Sequence, residues 1–458
     1  MRLPVLAVCL AVGCSGSSPA ASPAEAPIGA TPPTTAAEHT DQSERAPTLD
    51  AQRPPTDETT TAEAGAQPEP PSSDDRWLAD LLAAHPDKFA TVLDDPARFR
   101  AQVLVTVIEP DGRKGPTVVE HGFHVDAEYV YPASAIKTFA AVGALRTLDA
   151  LRDTGARVDL DTPLAYCTAD SSGDRPCTIT QDKSNLAGGV ITLGHEIRKM
   201  QLVSNNIAFN RLYELVGHRE LNESMWALGF ATLRIHHRMY GVKDPLVQRT
   251  TPRVELRPAK GKPVVIPAKV SDLDLPPTEA VSLRIGAGYI DDDTKRRIDE
   301  PLDFSGKNYV SVRDLHRLTL AIVRPELPGV VQLGLDEADR AFLIAAMTED
   351  PLESSNPVYT DPHYSGLRYK TMIRGMLRAM PLEQIRYVGK AGRAYGFHLD
   401  NAYIEHRQTG RAMAVTVVLY ANDNAVLNDN KYEYDGITRP FLKNLGEVLA
   451  RRVLLQRD

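Results

Sequence analysis

The tetrapeptide Ser134-Ala135-Ile136-Lys137 holds the pairing that a serine nucleophile needs. A serine hydroxyl attacks poorly until a base takes its proton. On a helix, positions i and i+3 share a face, so the Lys137 amine can lie beside the Ser134 oxygen. Under the apolar neighbours Phe139, Ala140 and Val142, that amine can be held neutral and act as the base. At a helix start, the Ser134 backbone N–H also points toward any oxyanion that forms. A chain of this composition offers roughly one S-x-x-K by chance. Here it is the only one, and it falls where a strand-like run ending at Pro132 meets a long apolar helical pattern.

Two later segments add to it. Ser204-Asn205-Asn206 precedes the helical run IAFNRLYELVG. Ser and Asn are ordinary helix caps, but a hydroxyl and an amide there can also relay a proton and bind a substrate amide. Ser354-Ser355-Asn356 repeats the spacing in an acidic, proline-containing loop and is set aside. Lys390-Ala391-Gly392 ends the strand-like IRYVGKAG and is the only K-x-G in the chain. Glycine there marks close approach of another backbone or a ligand, and a cation beside it can hold a carboxylate. The histidines, His236, His237 and His398 among them, read as structural or surface groups, although His398 is close enough to the third motif to contact substrate.

The elements that must position these residues are legible as periodicity. Residues 76–98 are helical, broken at Pro86. Residues 102–109 and 117–124 read as strands around the Asp111-Gly112 turn. From about 139 to 240 the pattern is helical, including Leu193–Lys199 and Ile207–Val216. Residues 242–308, rich in Pro, Lys and Asp, read as a large loop or insertion. Helices return at Val312–Val323, Glu337–Thr348 and Tyr369–Met380. Strands at 385–391, 398–406 and 411–421 follow, then a final helix over 437–456. The expected fold is α+β: one antiparallel sheet built from both chain ends, plus an all-helical lobe.

S-x-x-K heading a buried helix, then S-x-N, then K-x-G on a late strand resembles the penicillin-recognising serine enzymes, and within them class A β-lactamases. The resemblance covers roughly 100–455 without the insertion, and includes ITLGHEIRKMQLVSNNIAFNRLYELVG and GHRELNESMWALGF. It implies the β-lactamase/transpeptidase-like fold over residues 75–458, acylation of Ser134, and Lys137 as base or proton shuttle. It further implies that Ser204 relays a proton to the leaving nitrogen, Asn206 binds the substrate amide and Lys390 binds the carboxylate. Gly392 would admit the substrate, and the backbone N–H groups of Ser134 and Arg393 would form the oxyanion hole. No cofactor or metal is implied. Three departures bear on the reaction. Asn205 stands where the family usually has Asp, and Ala391 where it has Thr or Ser, a loss of one donor costing about 1–2 kcal/mol of binding. No E-x-x-L-N occurs, although the family uses its Glu to position the deacylating water; Glu300, at the end of the insertion, is the candidate substitute. Expected activities are therefore β-lactam hydrolysis, a D,D-peptidase acting on cell-wall D-alanyl peptides, or a non-catalytic wall-binding lipoprotein.

The remaining sequence speaks to location. MRLPVLAVCLAVGC has the grammar of an export signal, and Ala11-Val12-Gly13-Cys14 resembles a bacterial lipobox that would lipidate Cys14. An ordinary cleaved signal with a passenger Cys is the alternative. Residues 15–74, almost all Ser, Pro, Ala, Thr, Glu and Gly, cannot bury enough surface to fold and read as a tether. An exported, periplasmic or cell-surface bacterial lipoprotein is expected, its membrane contact being the lipid. Cys167 and Cys177 flank a turn-rich segment and are either a local disulfide or two separate thiols. The net charge of −8, with dispersed Lys and Arg, argues against nucleic acid as partner. Beyond the N-terminus, no apolar run approaches the roughly 20 residues of a membrane span.

Overall fold

The β-branched run QVLVTVIE forms strand β1 (Gln102–Glu109), almost wholly buried. Its alternate side chains enter two different cores: Leu104 and Ile108 on one face, Val103 and Val105 on the other. A strand covered on both faces needs apolar residues at every position, which is why this run shows no alternation. The computed structural model describes residues 76–110, 115–168, 176–239 and 244–456. The expected export signal, Cys14 and the 15–74 linker lie outside them.

Around β1 lie β2 (Thr117–Phe123), β3 (Ile385–Gly389), β4 (Gly392–Ala394), β5 (Phe397–His406) and β6 (Ala412–Tyr420). All pairings are antiparallel, in the order β3–β5–β6–β1–β2, with β4 also pairing β5. The two ends of the chain thus meet in one sheet through the β1–β6 register, Leu104 opposite Thr416.

Helices α1 (Arg76–Ala83) and α2 (Pro86–Leu93), split at Pro86, pack on one face of the sheet. With them lie α9 (Thr371–Met376) and α10 (Arg439–Leu449). The opposite face carries α3 (Lys137–Asp153), α4 (Leu193–Val203), α5 (Asn206–Val216), α6 (His218–Ala227), α7 (Val312–Val323) and α8 (Glu337–Thr348). Residues Lys137 to Leu145 of α3 are buried without exception, so its first half is a core helix, while Arg146, Asp149, Arg152 and Asp153 bring its second half toward the surface.

Three expectations are corrected. The described residues of 154–192 are not helical; their one regular element is the strand Leu164–Tyr166. Nor is 242–308 a plain loop. Its described part is a five-residue helix, Pro245–Arg249, followed by a chain of two- and three-residue β pairs. Val254–Leu256 joins Leu164–Tyr166 to Val264–Ile266, and Gly288–Ile290 pairs in parallel with Val426–Leu427. Such short segments carry no period of their own; they are fixed by pairing with one another and, at two places, with strands outside the insertion. Cys167 and Cys177, beside this patch, form a disulfide. The expected helix over Tyr369–Met380 is two pieces, Gly366–Tyr369 and α9, with Lys370 between them.

Helices α9 and α10 cross at glycines. A Cβ on Gly375 would collide with the Lys443 carbonyl, and one on Gly446 with the Met372 carbonyl. Overpacking such a contact costs about 1–3 kcal/mol. Gly375→Ala is expected to lose about 2 kcal/mol by urea denaturation, whereas Gly306→Ala, which meets no atom within 4 Å, should change little.

Candidate active site

Ser134 lies in a single 3-10 turn, Ala133–Ile136, from which α3 continues at Lys137. Ala133, immediately before it, holds a left-handed φ of 45°. Such a conformation is costly for a residue with a Cβ and recurs where a local geometry is enforced by function. Gly392 at the start of β4 presses on this turn. A Cβ there would sit 2.5 Å from the Pro132 carbonyl oxygen and 3.0 Å from the backbone nitrogens of Ser134 and Ala135. Only glycine lets the strand approach the serine so closely.

Lys137 is fully buried beneath the turn. Its Nζ donates across the helix layer to the Ser204 carbonyl oxygen at 2.6 Å and to Asn206 Oδ1 at 2.5 Å, and lies 3.3 Å from Ser204 Oγ. Burial, reinforced by the nearby charge of Lys390, holds the amine well below its ordinary pKa. A neutral amine has two N–H groups, which the two short bonds use, and its lone pair is left to accept a proton.

The position of Ser204 follows from helix ends. It terminates α4 in a left-handed conformation, φ 60° and ψ 34°, and α5 begins at once. Asn205, where the family pattern usually has Asp, is the N-cap of α5, its Oδ1 accepting the Ala208 N–H at 2.9 Å. Between these helices Ser204 Oγ lies 3.3 Å from Lys137 Nζ and 3.0 Å from Lys390 Nζ. A hydroxyl placed between two amines can pass a proton from one side to the other.

Lys390 occupies the break between β3 and β4, and its Nζ also donates to the Ala391 carbonyl at 3.1 Å. Burial pulls its pKa down to about 7, with Asp400 opposing and Lys370 adding to the shift. Asp400 projects from β5 with no exposure, accepts the Met372 N–H at 3.1 Å, and is raised to about 6 by burial. Lys370 is lowered to about 8 by burial. Sequence reasoning missed Lys370 and Asp400. The sequence singled out neither: Asp400 shares its strand FHLDNAYIEH with His398, Asn401, Glu405 and His406.

Two recesses meet at Ser134. One, of about 190 Å³, is bounded by Ser204, Lys390, Lys370, Glu349 and His398. The other, of about 460 Å³, is walled by Asn206, Tyr131, Tyr395, Asn430 and Tyr432. Arg393 borders both. Among the described residues, Glu349 is the one carboxylate lining either recess, and Arg198 grips both its oxygens at 2.9 and 2.7 Å. Glu300, the sequence candidate for the water-positioning carboxylate, is exposed on the insertion, nearest Arg284 at 3.8 Å, and lines neither recess. His398 is a structural group at the cavity wall, held neutral by burial that lowers it to about 3 and bonded through Nδ1 to Thr438 Oγ1 at 2.7 Å. The structure therefore gathers Ser134, Lys137, Ser204, Asn206, Lys390, Gly392 and Arg393 around one cavity junction.

A model of the beta-lactamase enzyme family matches residues 119–436. Solved structures similar to the chain include a beta-lactamase from Burkholderia vietnamiensis, 14% identical with a TM-score of 0.43, covering 81% of this chain and 96% of that one. A class A beta-lactamase representative from Bacteroides cellulosilyticus is 13% identical, with a TM-score of 0.41 and coverages of 81% and 96%. The beta-lactamase from Streptomyces albus G is 15% identical, with a TM-score of 0.41 and coverages of 82% and 97%. A search of curated proteins finds no match.

The two cavity lysines should be visible by titration. With ¹³C-labelled lysine ε-carbons, NMR is expected to show one group titrating near pH 7 and one near pH 8, charged below and neutral above. Lys390→Met should remove the transition near pH 7. If every lysine titrated near its ordinary value of about 10.4, the buried amines would not have the environment described.

Proposed function

The chain belongs to the beta-lactamase enzyme family, and from that premise we propose that it is an exported serine hydrolase acting through an acyl-enzyme on Ser134. Its substrate is a β-lactam or a D-alanyl peptide, an amide followed by a carboxylate. The observation that carries this reading is the placement of Ser204 Oγ between Lys137 Nζ and Lys390 Nζ beside the cavity that Ser134 lines.

In the proposed reaction, Ser134 Oγ bonds to the amide carbonyl carbon while its proton passes to the neutral Lys137 amine. The developing oxyanion is received by the backbone N–H groups of Ser134 and Arg393. As the carbon–nitrogen bond breaks, the Ser204 hydroxyl protonates the leaving nitrogen and is reprotonated by Lys137. Asn206, its Oδ1 engaged by Lys137, offers its amide N–H to the substrate. Water then cleaves the Ser134 ester and restores the serine. This last step lacks a free carboxylate among the described residues, because Glu349 is clamped by Arg198. Acylation is thus faster than release, which favours D-alanyl peptide chemistry, or slow β-lactam turnover, over rapid β-lactam destruction. We place the reaction outside the cytoplasm, on a domain tethered by residues 15–74 to a lipid on Cys14.

A labelled penicillin and a chromogenic cephalosporin test this together. The wild-type chain should become labelled and turn over the cephalosporin slowly, and Ser134→Ala should do neither. Rapid turnover would contradict slow release. Absence of any Ser134-dependent label would remove the acyl-enzyme reading altogether.

A further inference from the structure

The smaller recess beside Ser134 holds more positive charge than the family motifs supply. Lys390 is expected from its motif; Lys370 is not, and it lines the same cavity. It sits between the short helix Gly366–Tyr369 and α9, at the C-terminal end of α8. Its Nζ donates to the last carbonyls of α8, Met347 O at 2.9 Å and Thr348 O at 3.0 Å. The negative end of a helix dipole favours a cation at such a place.

An ammonium carries three N–H donors. Lys370 uses two on Met347 and Thr348. Lys390 uses two on Ser204 Oγ and Ala391 O. Each ammonium therefore keeps one donor that these oxygens do not use, Lys370 Nζ lying 5.8 Å from the Tyr387 ring centroid. The charges point the same way. When both amines are protonated they face one buried carboxylate, Asp400, the remaining carboxylate at the wall, Glu349, is matched by Arg198, and Arg393 also borders the recess. The protonated recess thus holds more positive than negative charge in a site of low dielectric, where an unpaired charge is costly. Opposite them, Ala391 offers no hydroxyl.

We propose that Lys370, together with Lys390, forms a two-cation subsite that binds the substrate carboxylate in place of the hydroxyl absent at position 391. Lys370 is thus a specificity-determining residue outside the S-x-x-K, S-x-N and K-x-G motifs. This rests on the acyl-enzyme reading above, since it concerns which amides reach Ser134. It explains how the chain dispenses with a hydroxyl there, because a second charged donor replaces a neutral one.

The test compares acylation of Ser134 by benzylpenicillin and by its methyl ester, read as second-order labelling rates. Lys370→Met is expected to slow labelling by the free acid about 10- to 100-fold, the loss of one charge-assisted hydrogen bond. It should leave the ester within about 3-fold, since a neutral ester gains little from a cation. Lys370→Arg, which keeps the charge, should restore most of the free-acid rate. An equal loss on both substrates would mean that Lys370 serves only to tie down Met347 and Thr348, and would overturn the proposal. So would unchanged rates on both. Should Lys370→Met melt below the assay temperature, Lys370→Gln retains an amide for those carbonyls and gives the same ratio. Failure of the acyl-enzyme reading is distinguishable, because the wild-type chain would then label with neither compound.

Discussion

Everything at the site depends on one buried amine. Lys137 is fully enclosed, and an amine there is costly unless its donors are met. Ser204 and Asn206 meet them, so the same bonds that make burial possible also lock the end of α4 and the start of α5 against the start of α3. The burial that makes the amine costly also makes it useful, because it disfavours the charged form and leaves a lone pair able to take a proton. Stability and chemistry thus share a single contact set. The left-handed Ser204 is a consequence: α4 must end abruptly for its carbonyl and hydroxyl to face the amine.

The sheet supplies the second wall. β5 and β6, covered on both faces, are rigid, and they fix β4 where Gly392 touches the serine turn. The α9–α10 glycine crossing fixes the far side, holding Lys370 and the Met372 amide that engages Asp400. Fixed donors and charges cost no reorganisation when a substrate arrives. The insertion follows the same logic at lower regularity: its pairing with Val426–Leu427 anchors the segment leading to Asn430 and Tyr432, which wall the larger recess.

Sequence and structure agree where the deciding information is contiguous. The three motifs are short, and each carries its own chemistry. Val312–Val323 and Glu337–Thr348 match their helices because amphipathic period and caps, Ser311 and Asp336, are both local. The strands were legible as apolar β-branched runs. What was not legible depends on distant partners. The β pairs of the insertion are two or three residues long, too short for a period of their own, and two of them join segments far along the chain, Leu164–Tyr166 and Val426–Leu427. Lys370 and Asp400 have ordinary sequence neighbours and become part of the site only when α9 and β5 bring them beside Lys390. Glu300 failed as a candidate for the same reason: its position in the sequence was suitable, but the fold leaves it in solvent on the insertion.

The role of the Lys137 amine is open to direct measurement. Stopped-flow acylation of Ser134 by a penicillin should fall about 10²- to 10⁴-fold in Lys137→Met, the usual contribution of a positioned base, in a protein whose circular dichroism is unchanged. A rate within a few-fold of wild type in a folded Lys137→Met protein would contradict the assignment of the buried amine as the base.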